Sequence, residues 1–107
     1  MKTVTPAQAL EMVKAGQAYG VDVREKDEWD SGYFDLFTLN PLSTFDQSVL
    51  PSDKPIIFIC RSGNRSGKAC AAVEPSGLEV INMEGGMLAW QAEGLPMSAV
   101  TGSPLIS

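Results

Sequence analysis

The chain has 107 residues, enough for one domain and too short for two. With 8 Lys and Arg against 13 Asp and Glu, its net charge of −5 disfavours broad attraction to nucleic acid or anionic lipid and, at face value, to a small anionic substrate. Histidine is absent and only 2 cysteines occur, which excludes a Ser-His-Asp triad, a Cys-His pair, a His-ligated metal and an all-cysteine zinc site.

Thr5-Pro6-Ala7-Gln8 predicts a helix start, with Thr5 as cap, Pro6 at the first helical position and Gln8 closing a capping box. Leu10 and Val13 mark its apolar stripe, and Gly16 supplies a left-handed stop. Residues 19–23 read as a short strand. The charged segment 25–30 around Trp29 reads as a short helix ended by Gly32. A strand is expected at 36–39, then a short helix at 43–50 between Pro41 and Pro51.

Pro55-Ile56-Ile57-Phe58-Ile59 is the clearest element, a continuous β-branched and apolar run expected of a parallel strand buried on both faces. It leads straight into Cys60-Arg61-Ser62-Gly63-Asn64-Arg65-Ser66-Gly67, and a helix is expected to follow as far as about Glu74, before Pro75. Residues 79–82 read as a final strand and 87–93 as the last helix, stopped by Gly94-Leu95-Pro96. Strands alternating with helices predict an α/β sandwich on a mostly parallel sheet. Residues 1–107 read as a single domain in which about 98–107 form a tail, a candidate linker to a further segment. No run of about 18 apolar residues occurs, so no membrane segment is expected. No signal peptide is visible behind Lys2, and the two cysteines suggest a reducing, cytoplasmic setting.

Ligands of open parallel sheets bind beyond the carboxyl ends of the strands, and Cys60 stands at that end of the most apolar strand. The residues after it are small, polar or cationic and open a helix. Such a loop turns several backbone N–H groups inward as an anion nest. The helix dipole and nearby guanidinium groups favour a thiolate over a thiol. Cys60 thus reads as a nucleophile at the base of an oxyanion cradle, against the plainer reading of a small buried hydrophobe. Two other loops fit less well. A nucleotide-binding P-loop needs one more residue between its glycines than Gly63 and Gly67 allow, and Ala69 stands in place of its Mg²⁺-binding hydroxyl. The cysteine-phosphatase loop has one more residue between Cys and Arg than the four separating Cys60 from Arg65.

The stretch Ile59-Cys60-Arg61-Ser62-Gly63-Asn64-Arg65-Ser66 resembles the active-site loop of the rhodanese family of sulfurtransferases. Two further stretches are similar to that family in the same order. They are Val21-Asp22-Val23-Arg24-Glu25 with Trp29, and Asn82-Met83-Glu84-Gly85-Gly86-Met87-Leu88-Ala89-Trp90 followed by Gly94-Leu95-Pro96. The resemblance spans about residues 4–97. It implies a three-layer sandwich with a five-stranded mostly parallel sheet flanked by helices, as a single rhodanese module. It also implies sulfur transfer, with Cys60 attacking the outer sulfur of thiosulfate or a similar anion and passing it as a persulfide to a thiophile such as cyanide or a thiol. Backbone amides of residues 61–65 would hold the persulfide charge, Arg61 would meet the anion, and Arg65 would fork back to a carboxylate. Neither a cofactor nor a metal is implied.

The absent histidine agrees with this, because a preformed thiolate displacing a stable anion moves no proton in its key step. Asp22 and Arg24 read as a supporting ion pair, Glu84 as a cap for the last helix, and Trp29 and Trp90 as core. Cys70 lies about 7 Å farther along the helix axis and reads as a buried helix residue, not a partner for Cys60. The segment Gly32-Tyr33-Phe34-Asp35-Leu36-Phe37 departs from the family's usual Gly-His-Ile-x-Gly-Ala, and Tyr33, Phe34 and Phe37 are read either as a docking patch or as packing. The same residues also admit a persulfide relay between protein partners, a non-catalytic interaction module, and a cysteine phosphatase or arsenate reductase. All three arginines, Arg24, Arg61 and Arg65, fall in the motif segments, so an acidic chain is expected to hold a locally positive pocket.

Overall fold

The computed structural model describes residues 1–106. Five parallel strands, β1 (Lys2–Val4), β2 (Tyr19–Asp22), β3 (Phe37–Leu39), β4 (Ile56–Ile59) and β5 (Val80–Met83), form one sheet in the order β1-β5-β4-β2-β3. Four helices flank it: α1 (Pro6–Lys14), α2 (Lys26–Ser31), α3 (Asn64–Val73) and α4 (Gly86–Ala92). The apolar run 56–59 is β4, the middle strand, and all four of its residues are buried. Successive strand side chains point to opposite faces. Ile57 and Ile59 therefore join Ile81, Met83, Met87 and Trp90 under α1 and α4, while Ile56, Phe58 and Cys60 join Val21, Val23, Ala69 and Val73 under α3.

The chain builds β3 on one side of β2 and then crosses to place β4 on the other, with Val21 beside Phe58 and Asp22 beside Ile59. A parallel sheet opens a crevice at such a reversal, beyond the carboxyl ends of its strands. Cys60 follows the last residue of β4 at that edge.

Thr5 caps α1 as expected, with its hydroxyl accepting from the Gln8 N–H and the Gln8 amide oxygen accepting from the Thr5 N–H. Three expectations change. Strand β1 was not anticipated, because three edge residues carry no alternation of their own and pair only with β5, far along the chain. The helix expected at 43–50 is instead two 3-10 turns, Leu42–Thr44 and Gln47–Val49. The Asn40 amide bonds both backbone groups of Asp46 and interrupts any helix there. Residues 98–106 fold back against α2 and α4. Ser98 bridges Tyr33, the Leu105 N–H donates to the Ser31 carbonyl, and Ile106 is buried with its N–H on the Gln91 amide oxygen. Of the aromatics left undecided, Phe34 and Phe37 pack against Trp90 in the core, and Tyr33 stacks on half-buried Trp29.

Candidate active site

The Cys60 Sγ lies at the floor of the loop joining β4 to α3, and the residue is 1% exposed. Its sulfur accepts the Gly63 N–H at 3.0 Å, and the Ser66 hydroxyl stands 3.3 Å away. Gly63 reaches this position at φ +102°, a left-handed conformation that favours glycine, and it serves as the N-cap of α3. Burial alone pushes the Cys60 thiol up. Hydrogen bonds from the Ser66 hydroxyl and from the backbone of Ser66, Gly63 and Ser62 more than offset this, and the thiol ends below its ordinary value. At Cys70 burial and the nearby Glu74 charge outweigh a backbone hydrogen bond and take the thiol up to about 11. Both cysteines are free, and their surroundings favour the thiolate at Cys60 and disfavour it at Cys70.

The loop keeps its amides inward because its carbonyls are engaged on the other side. The first turn of α4 donates to them, Met87 N–H to the Cys60 carbonyl at 2.8 Å and Leu88 N–H to the Arg61 carbonyl at 3.0 Å. Helix starts carry unpaired N–H groups, and here they are spent on the loop. Gly86 makes this approach possible, since a Cβ there would lie 2.4 Å from both carbonyl oxygens.

On the opposite flank, Asp22 and Arg24 are almost wholly buried and paired. Arg24 Nε and Nη2 donate to the Asp22 carboxylate, at 3.0 Å and 2.8 Å for the nearer contacts. Its Nη2 and Nη1 also donate to the carbonyls of Gly32 and Glu28, which fixes α2. From α2 the Glu28 carboxylate receives both terminal nitrogens of Arg65, at 2.6 and 2.7 Å. The supports thus run as one chain from β2 through α2 to the first turn of α3. Arg61 and Ser62 are exposed at the loop rim.

Glu84 does not cap α4. Gly85 occupies the cap position in a left-handed conformation, and the Glu84 carboxylate turns out to accept the Thr3 hydroxyl of the strand β1 edge. Two functional neighbours were not singled out from sequence, Glu28 as the partner of Arg65 and Asn82 beneath the loop. A lone amide in the apolar strand Val80-Ile81-Asn82-Met83 was the signal available for the second. Glu28 had a signal only for its other role, the box it forms with the Glu25 N–H at the start of α2.

The Arg65 fork, and to lesser degrees its charge and a backbone hydrogen bond at Glu25, overcome burial and hold the Glu28 carboxyl at about 2, below its ordinary 4.5. A carboxyl depressed on folding adds stability above its unfolded value and loses it as pH falls through the folded one. Glu28→Gln is therefore expected to cost about 1 kcal/mol at pH 7, given the pair's partial exposure. The difference from wild type should shrink as pH drops from 4.5 toward 2 in urea titrations. A pH-independent difference would refute the ionic contribution.

Fold and site together define a parallel α/β domain that holds a cysteine in an amide-lined loop at the carboxyl end of its middle strand. The chain matches the rhodanese-like domain over residues 5–93 and belongs to that family. It is similar to "Putative sulfurtransferase YtwF" of Bacillus subtilis, 33% identical over 99 residues, covering 90% of this chain and 96% of that one. It is also similar to thiosulfate sulfurtransferase GlpE of Actinobacillus succinogenes, 31% identical over 104 residues and 92% of each chain. Among solved structures, a rhodanese-related protein from Thermoplasma volcanium superposes with a TM-score of 0.85 at 29% identity, over 94% of this chain and all of that one. The family is one of sulfurtransferases. No described helix is long and apolar enough to cross a membrane.

Proposed function

We propose that this domain transfers sulfane sulfur from thiosulfate, or an anionic donor like it, to a thiophilic acceptor such as cyanide or a thiol. The Cys60 thiolate attacks the outer sulfur of the donor. The donor's S–S bond breaks, its electron pair leaves with sulfite, and Cys60 holds a persulfide. The acceptor then attacks the outer persulfide sulfur, and the Cys60 thiolate leaves. Neither displacement needs a proton, which suits a chain without histidine.

The observation that carries this reading is the Cys60 sulfur itself, which faces the Gly63 N–H and the Ser66 hydroxyl and has its thiol shifted down despite burial. Loop amides from residue 61 to residue 65 and the α3 N-terminus would stabilise the outer sulfur of the persulfide in the same way. Arg61 at the rim supplies positive charge to meet an anion, while Arg65, paired with Glu28, braces the loop. The names of the YtwF and GlpE relatives support the reaction class, and GlpE supports thiosulfate as donor. We read residues 1–107 as one rhodanese-like domain working in a reducing compartment such as the cytoplasm, where Cys60 stays a thiol between turnovers.

Incubation with thiosulfate followed by intact-mass measurement tests the proposal. Wild type is expected to gain one sulfur and Cys60→Ser none. Loading should fall as pH drops through the Cys60 value, because only the thiolate attacks. Absence of a gain on wild type, or an equal gain on Cys60→Ser, overturns the reading. Loading by a desulfurase without loading by thiosulfate would instead make the domain a relay for protein donors.

A further inference from the structure

Asn82 has no part in the sulfur-transfer steps, yet it touches the loop at two points. It stands on β5 beside Phe58 of β4, on the sheet face covered by α3. Its Nδ2 donates to the Gly63 carbonyl at 3.1 Å, and its Oδ1 lies 2.5 Å from Ser66 Oγ. The Gly63 carbonyl can only accept, so the amide nitrogen belongs on that side and the oxygen faces Ser66.

Ser66 is fully buried and has one hydroxyl proton for two acceptors. Oδ1 carries no proton, so a 2.5 Å separation places the Ser66 proton between the two oxygens. The Cys60 Sγ, 3.3 Å from the same Oγ, then donates its own S–H to Ser66 while it is a thiol. As a thiolate it needs the proton that Asn82 holds.

We propose that Asn82 is a positioning residue that competes with Cys60 for the Ser66 hydroxyl proton and thereby sets how readily the nucleophile ionises. In the thiol state the chain Cys60–Ser66–Asn82 is closed, each hydrogen bond satisfied. On ionisation the thiol proton leaves to solvent, the Ser66 hydroxyl turns to Sγ, and Oδ1 of Asn82 loses its donor. The lost bond opposes thiolate formation. The second contact, on Gly63, fixes the amide with its Oδ1 toward Ser66.

The charges around this chain are spread over the surrounding elements. Arg61 belongs to the loop, Arg65 of α3 interacts with Cys60, and Glu28 of α2 and Asp22 at the end of β2 both act on Arg65. Arg24 is bound to Asp22, and Glu84 after β5 is turned to Thr3. The described hydrogen bonds of the Ser66 hydroxyl run to Cys60 and to Asn82.

The inference rests on Cys60 as nucleophile, and its test uses no sulfur donor, so it fails or stands separately from thiosulfate transfer. Thiolate absorbance of Cys60 is titrated in wild type and Asn82→Ala, each with Ser66 and with Ser66→Ala. Asn82→Ala is expected to raise the thiol ionisation constant roughly threefold, the size of one hydrogen bond no longer lost. Ser66→Ala should lower that constant, and adding Asn82→Ala to it should change nothing further. An unchanged or lowered constant in Asn82→Ala, or the same increase without Ser66, overturns the proposal. Should the alanine variant not fold, Asn82→Leu fills a similar volume without an acceptor for the hydroxyl proton. Its thiol should then ionise more readily than wild type with Ser66 present and no more readily without it, and equal factors overturn the proposal.

Discussion

Arg24→Ala is expected to lower the free energy of unfolding by about 3–5 kcal/mol, a large part of what a domain of this size has to lose. The loss is large because of what remains behind. Asp22 is 0% exposed, and without the guanidinium its carboxylate keeps, among the described residues, the Arg24 backbone N–H at 3.0 Å. Two carbonyls, those of Glu28 within α2 and Gly32 just past it, also lose their donor, so the tether of α2 is released. The release should travel further, since α2 presents Glu28 to Arg65. A second variant, Asp22→Asn with Arg24→Met, removes the orphan charge and is expected to recover part of the loss. Urea unfolding of the three proteins measures both effects. If the single and double variants are equally destabilised, the cost lies in the lost tether of α2. If the single variant loses under 1 kcal/mol, the buried pair is not a structural clamp.

Gly86→Ala is expected to remove sulfur loading and to destabilise the fold by about 3 kcal/mol, more than the roughly 1–2 kcal/mol of a left-handed L residue. Gly86 has φ +59°, and an added Cβ would meet the backbone carbonyl oxygens of Cys60 and Arg61 at 2.4 Å. No flexible side chain is available to yield, so either α4 or the loop must move. Moving the loop breaks the Met87 and Leu88 bonds that hold its carbonyls outward and its amides inward. Gly94 supplies the control. Its φ of +69° is similar, but nothing lies within 4 Å of its Cβ position, so Gly94→Ala should bear the conformational cost alone and load sulfur normally. Equal behaviour of the two variants would show that close approach at Gly86 has no special role.

Much of this architecture could be read along the chain. The run at β4 announced a buried parallel strand, because only a strand covered on both faces is apolar at every position. Thr5, Pro6 and Gln8 marked the start of α1 through bonds that close within four residues. The loop around Cys60 was recognisable for the same reason, since its strand, turn glycine and helix start are contiguous. The readings that changed depend on partners distant in sequence. Lys2–Val4 is a strand only because β5 lies beside it. The segment 43–50 breaks at Asp46 because Asn40 binds its backbone. Residues 98–106 are held by α2 and α4, and Glu84 turned from α4 to Thr3.

The opening arithmetic divides in the same way. Composition by itself determined that this chain brings no imidazole to nucleophilic chemistry and that its net charge is −5. It also placed all three arginines in the motif segments. Only the tertiary structure decided what those arginines do. Arg24 is buried on Asp22, Arg65 is committed to Glu28, and Arg61 stands at the exposed rim. The physical reason is that a residue's type fixes its charge and hydrogen-bonding capacity, whereas its share of either depends on which neighbours the fold brings within about 3 Å. For Cys60 those neighbours are Gly63 from its own loop and Ser66 from α3, with Asn82 reaching Ser66 from β5.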